Sequence, residues 1–318
     1  LRCAEHPFFS FDDWFIGSTP ITRGIPNETI EQTKTFKYND LDSLKEISNY
    51  YHGNIACVIM EPVAASCPKS IAEKTGCCGR SICNRIFPQI NFLLQVQNFC
   101  RENQIIFILD ETITGFRWSV GGAQEVFGIE PDLTTFGKAM ANGFSVAAVA
   151  GRRELMEIGS ITQAGNERTF MLSTTHGAEM LGLSAFMETV KFIENNNVIP
   201  HLWTYGEHLI CEFNSIAAEV GLLGNIYLSG PAPNPILNVV DDTGAPWFEM
   251  RTLFLSEMIK QGILMPWISI CYRHGEKEMG KTILGLRFAL QICMRAVGDG
   301  IESYYKGRII KPVFRKFN

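Results

Sequence analysis

Two residues of opposite charge stand at the ends of neighbouring apolar runs. Residues 105–109 (I-I-F-I-L) lead into Asp110 and Glu111, and a second apolar stretch runs into Gly137-Lys138. The first run is short and β-branched, so it is expected to be a buried parallel strand. Its terminal acids then lie at the C-terminal edge of a sheet, where open α/β folds place ligands. Opposite charges carried into apolar surroundings need a partner or a cofactor. An aspartate there suits a pyridinium N–H; at roughly 4 Å and an effective dielectric near 20, the attraction is about 4 kcal/mol before desolvation. A pyridine ring kept protonated is an electron sink. A lysine across the site forms a Schiff base with an aldehyde, and burial or a nearby cation favours its neutral, nucleophilic form. The same amine then moves a proton between carbons. These are the parts that pyridoxal phosphate chemistry requires. Taken singly, such an Asp is often a cap or an ion-pair partner, and a Lys after Gly is usually solvent-exposed; the residues between them decide.

The elements that position the pair follow from periodicity. Residues 41–51 are expected to form a short helix with Asn39 or Asp40 as its N-cap. Residues 55–60 (I-A-C-V-I-M) read as a buried strand that ends, like the central one, in an acid, Glu61, followed by Pro62. Residues 89–103 carry Ile90, Leu93, Leu94, Val96 and Phe99 at helical spacing. Strand, helix, strand at this spacing is a βαβ unit and implies a parallel sheet. Further on, 146–151 reads as a strand, 152–158 as a helical turn or two, 177–194 as a helix and 197–219 as a long helix after an asparagine break. Beyond residue 220, strands at 222–228 and 236–240 flank the breaker run S-G-P-A-P-N-P, and helices follow at 246–261 and 275–297. The expected fold is α/β: a mostly parallel central sheet with helices on both faces in residues 1–219, plus a smaller α+β domain in 220–318.

Composition narrows the class. The 318 residues are 46% hydrophobic and 19% charged, which suits a globular chain rather than a disordered one. A net charge of −5 without a long basic run gives no support for a nucleic-acid surface. No stretch of 18 apolar residues suggests a membrane span, and the first residues lack a signal-peptide core. Of the ten cysteines, Cys67, Cys77, Cys78 and Cys83 cluster in a Cys-rich loop over about 64–88. Their C-C-x4-C spacing lacks the paired C-x2-C of structural zinc sites, so reduced thiols, no metal and a cytoplasmic location are expected. No G-x-G-x-x-G follows a strand, which disfavours a nicotinamide enzyme.

The stretch D-E-T-I-T-G-F-R-W, followed by G-I-E-P-D-L-T-T-F-G-K-A-M-A-N-G-F, resembles the signature of class III pyridoxal-phosphate aminotransferases, above all the glutamate-1-semialdehyde aminomutase branch and its aminotransferase relatives. The resemblance covers nearly the whole chain. It implies fold type I and pyridoxal 5'-phosphate as cofactor. Asp110 would bind the pyridine nitrogen and Lys138 would be the Schiff-base lysine. Thr112 stands where the family usually has a ring-packing Val, and its methyl serves the same contact. L-S-T-T-H-G-A-E resembles S-S-T-x-G-G-E, which makes Thr175 a phosphate ligand donated across a dimer interface, while the adjacent His176 holds a turn. F-F-S-F-D-D-W-F-I-G resembles Y-H-G-W-x-D-W and puts Phe8 on the aromatic that stacks over the ring, with Phe9 in place of the usual His. Glu61 matches the strand-terminal E-P, as a structural or a catalytic residue. Ser66 stands where ornithine-type members carry Glu, which argues against that group.

The expected activity is therefore aminotransfer between a small-molecule amino donor and a carbonyl acceptor, in a homodimer with shared active sites. The alternatives are a 2,1-aminomutase and a truncated, catalytically impaired homologue that acts only as a dimer partner. The family carries a long segment before the aromatic motif, including the loop that cradles the phosphate. This chain begins almost at that motif and resembles an N-terminally truncated member, so weak cofactor binding by residues 1–318 alone is expected. Arg273 is a positional candidate for a substrate carboxylate, and Arg117 is expected to be structural.

Overall fold

A computed structural model of the chain describes residues 2–3, 19–63, 67–68, 91–162, 165, 167, 177–312 and 315–316. The chain divides into two compact units, with the division at Ile199 and Pro200.

The first unit is organised on a six-stranded sheet. In chain order its elements are β1 (Arg2–Cys3), α1 (Asn27–Glu31), β2 (Thr35–Phe36), α2 (Leu41–Tyr50), β3 (Cys57–Met60), α3 (Phe92–Glu102), β4 (Ile106–Glu111), α4 (Ala123–Phe127), β5 (Leu133–Phe136), β6 (Ala148–Gly151), α5 (Arg153–Met156) and α6 (Met180–Asn195). The strand order is β2-β1-β3-β4-β5-β6. Neighbours run parallel except β5 and β6, which are antiparallel. The sheet is thus mixed but mostly parallel, with β3 and β4 joined by α3 as the expected βαβ unit.

Local chemistry sets the helix starts. Asp40 caps α2 by accepting the Ser43 N–H at 3.1 Å. Asn91 caps α3 by accepting the Leu94 N–H at 3.0 Å, and its amide donates to the Phe127 carbonyl at 3.2 Å. Each satisfies a backbone group that a helix end leaves open. Asp132 clamps three strands at one edge: it accepts the Phe107 N–H at 2.8 Å and the Arg152 guanidinium at 2.9 Å. The apolar side chains of Val58, Leu93, Val96, Phe107 and Leu109 form the centre of this unit.

The second unit holds α7 (Val198–Glu219), the antiparallel pair β7 (Ile226–Ser229) and β8 (Ile236–Val239), α8 (Phe248–Lys260) and α9 (Glu276–Asp299). Asn197, at φ 52°, separates α6 from α7, a conformation asparagine tolerates better than most residues. The sequence groups residues 197–219 with the first domain, whereas α7 clusters with the second unit from Pro200 onward. Asn214 explains the attachment: its side chain donates to the Leu228 carbonyl at 2.9 Å and accepts the Leu228 N–H at 2.8 Å, which ties α7 to β7. The buried residues Met279, Leu286, Ala289, Leu290, Cys293 and Ala296 form one stripe on α9 at helical spacing.

Among the described residues, no helix is long and apolar enough to cross a membrane, and no group of three His, Cys, Asp or Glu side chains could hold a metal. Cys67 is buried; Cys77, Cys78 and Cys83 lie outside the described residues.

Candidate functional site

The end of β4 separates its two acids. Alternation puts Phe107, Leu109 and Glu111 on the buried face and Ile108 and Asp110 on the other. Glu111 is 0% exposed. Its carboxylate accepts the Ala123 N–H at 2.6 Å, the Gln124 N–H at 2.7 Å and the Thr114 hydroxyl at 2.7 Å. It therefore closes the loop after β4 onto the start of α4. Burial pushes its pKa above the ordinary carboxylate value, against the pull of those three donors. Glu111 is thus tied into the fold, while Asp110 lies on the other face of the strand.

Asp110 is only partly buried, and one of its oxygens is occupied. Oδ1 accepts the Thr112 N–H at 3.0 Å and the Thr135 hydroxyl at 3.0 Å. Thr135 stands directly opposite Asp110 in the parallel β4–β5 register. Among the described residues, Oδ2 takes no hydrogen bond. Two residues past Thr135 the chain reaches Gly137, where a Cβ would lie 3.1 Å from the Thr112 methyl. A glycine there lets the Thr112 side chain close onto the residue that precedes Lys138.

Lys138 opens a 3-10 turn, Lys138–Met140, with φ 30°. Non-glycine residues in sparsely populated backbone regions concentrate at functional sites. Its side chain is exposed at the surface, yet partial burial of the amine lowers its pKa, while attraction to Asp110 and to Glu61 raises it. Asp110, Thr112 and Lys138, chosen from sequence, thus come together at the C-terminal edge of β4 and β5. Glu61, which the sequence leaves between a structural and a catalytic role, follows Met60 at the end of β3 and acts on the Lys138 amine. The buried Tyr38 hydroxyl donates to the Pro62 carbonyl at 2.5 Å and holds the turn beside it.

Phe8, Thr175 and His176 lie outside the described residues. Arg273 is exposed in the second unit. That unit also contains a cavity of about 430 Å³ lined by Tyr205, His274 and Lys281, and none of its lining residues belongs to the Asp110–Lys138 group.

Sequence reasoning missed Thr135. The T-T pair at 134–135 carries no signal by itself. Only the strand pairing turns Thr135 toward Asp110 and buries Thr134 on the opposite face, 4% exposed.

These residues fit the two ends of a pyridoxal ring: an anchored carboxylate with an open oxygen for the ring nitrogen, and a lysine amine of lowered basicity for the aldehyde.

Comparison with known proteins points the same way. The chain is 28% identical over 292 residues to a 3-aminobutyryl-CoA aminotransferase of Cloacimonas acidaminovorans, covering 91% of this chain and 64% of that protein. It is 30% identical over 281 residues to a glutamate-1-semialdehyde 2,1-aminomutase of Archaeoglobus fulgidus, covering 83% and 60%. The chain thus spans less than two thirds of the length of these curated relatives. Among solved structures, the internal aldimine form of the FumI protein of Sphingopyxis sp. MTA144 superposes with TM-score 0.76 at 20% identity, over 94% of this chain and 66% of that one. An omega-transaminase from Sphaerobacter thermophilus gives 0.75 at 18%, over 92% and 68%. The chain shares the fold of these transaminases, an α/β fold with a mostly parallel sheet. The family model described as Aminotransferase class-III matches residues 17–230, a span that includes both Asp110 and Lys138, and the chain belongs to the class-III aminotransferases.

Proposed function

We propose that the protein is a pyridoxal-phosphate-dependent aminotransferase that passes an amino group from a small-molecule amine to a carbonyl acceptor. The supporting observation is the meeting of Asp110, Thr112 and Lys138 at one sheet edge, with Oδ1 of Asp110 already engaged. Asp110 would accept the ring N–H through Oδ2 and keep that nitrogen protonated by charge. When bound, the cofactor supplies an electron sink for the bonds around the amino-bearing carbon. Lys138 would hold the cofactor's aldehyde end and, once released from it, act as the base that takes a proton from one carbon and the acid that returns it to another. Its lowered pKa suits both roles, since a larger share of the amine is neutral at a given pH. The negative charges of Asp110 and Glu61 limit that depression. The Thr112 methyl offers an apolar contact to the ring.

The resemblance adds Thr175 as phosphate ligand from a partner subunit and Phe8 as stacking aromatic, in a homodimer. The first unit would carry the cofactor, with the second as the smaller domain.

A second reading, a 2,1-aminomutase, is supported by the Archaeoglobus fulgidus relative, at 30% identity. Substrate demand separates the two: a mutase isomerises a single amino-carbonyl compound with no second substrate, whereas a transaminase turns over only when a separate amino donor and carbonyl acceptor are both present. Amine-exchange assays on the full-length protein test the common core. Lys138→Ala is expected to abolish turnover, and retained turnover would refute the assignment.

A further inference from the structure

We propose that Thr135 is a positioning residue that fixes the Asp110 carboxylate and ties it to the strand that delivers Lys138; the proposal rests on Asp110 being the partner of the pyridine nitrogen. An aspartate χ2 is broad and roughly two-fold, so an untethered carboxylate exchanges its two oxygens and has no fixed direction. Here Oδ1 is held from two sides. The Thr112 N–H, at 3.0 Å, comes from the turn that follows Asp110 itself. The Thr135 hydroxyl, at 3.0 Å, comes from the neighbouring strand. A carboxylate only accepts, so both groups donate to it. With Oδ1 engaged, Oδ2 is the oxygen that faces a ring nitrogen.

The two tethers differ in consequence. The Thr112 bond is local and moves with β4. The Thr135 bond crosses to β5, whose last residue, Phe136, is followed by Gly137 and Lys138. It is the side-chain link that registers the acid against the lysine, and hence the ring-nitrogen end of the site against its aldehyde end. A β-branched side chain suits the task, because its χ1 is stiff and the hydroxyl stays aimed. Thr134 cannot substitute: the alternation of the strand turns it to the opposite, buried face.

The test uses full-length protein, pyridoxal phosphate labelled with ¹⁵N at the ring nitrogen, and the variants Thr135→Val, Thr135→Ala and Thr135→Ser. Valine keeps the shape and removes the hydroxyl; alanine removes it as well if valine does not fold. Three quantities are read: the cofactor Kd, the ¹⁵N shift of the ring nitrogen, and the thermal midpoint without cofactor. We expect Thr135→Val and Thr135→Ala to bind cofactor about tenfold more weakly, the scale of one hydrogen bond to a charged group. Their ring-nitrogen signal should move from the pyridinium toward the neutral pyridine position. Thr135→Ser should stay near the parent in both. Wild-type Kd and shift in Thr135→Val would overturn the role. Equal losses in the valine and serine variants would also overturn it, because packing rather than the hydroxyl would then matter. Failure of the parent protein to bind pyridoxal phosphate would overturn the underlying assignment of Asp110 along with it, an outcome distinct from normal binding by Thr135→Val.

Discussion

Replacing Gly122 by alanine tests how the end of β4 is held. Gly122 precedes α4 with φ 83° and ψ −174°, in a region of backbone space that is essentially reserved for glycine. Placing an L-residue there costs about 1–3 kcal/mol. A Cβ on Gly122 would also lie 2.6 Å from both oxygens of Glu111. That carboxylate is fully buried and accepts three donors. It escapes the clash only by giving up at least one of them. A hydrogen bond to a charged group contributes about 1.5–3 kcal/mol; added to the backbone cost, Gly122→Ala should cost about 4 kcal/mol in all. Gly128 provides the control. It has φ 63° and ψ 40° at the other end of α4, and a Cβ there meets nothing within 4 Å. Gly128→Ala should cost only the left-handed backbone term, about 1–2 kcal/mol. The assay is chemical denaturation followed by circular dichroism, with the two variants and the parent under one buffer. A Gly122→Ala destabilisation no larger than that of Gly128→Ala would refute the idea that Glu111 is locked in place. A double-mutant cycle with Glu111→Ala isolates the clash, since removing the carboxylate should leave only the backbone term.

Lys138 should titrate below the ordinary lysine value of 10.5, because burial favours its neutral form. Labelling by a small aldehyde, trapped with borohydride and located by mass spectrometry, should therefore rise with pH and reach its midpoint below 10.5. Asp110→Asn removes an attraction that holds the proton and should move that midpoint lower still; a shift upward would contradict the electrostatic link between the two residues. Asn91→Ala should destabilise the first unit by about 2–3 kcal/mol, combining the loss of the α3 cap with the loss of a donor to the Phe127 carbonyl. Thermal or urea unfolding checks it.

The sequence alone determined the elements whose pattern is long or pure enough to read. The apolar run of β4, the helical period of α3 and a cap for α2 at residue 39 or 40 are local properties of the chain. The pairing of Asp110 with Lys138 was legible for the same reason: each ends an apolar run, and the motif between them is contiguous. The two-residue strands β1 and β2 carry no readable period, because so short a segment gives the alternation too few positions to repeat. The tertiary structure decided which neighbour in each polar pair matters. It turned Asp110 to the face opposite Glu111 and tied Glu111 to the start of α4; it aimed Thr135 at Asp110 and Thr134 away; and it let the charge of Glu61 act on the Lys138 amine. It also attached α7 to the second unit through Asn214 and Leu228, where chain order suggests the first. The physical reason is common to all four. A strand's face and a helix's partner depend on register with segments far away in sequence, and a hydrogen bond across that register is invisible until the strands are paired.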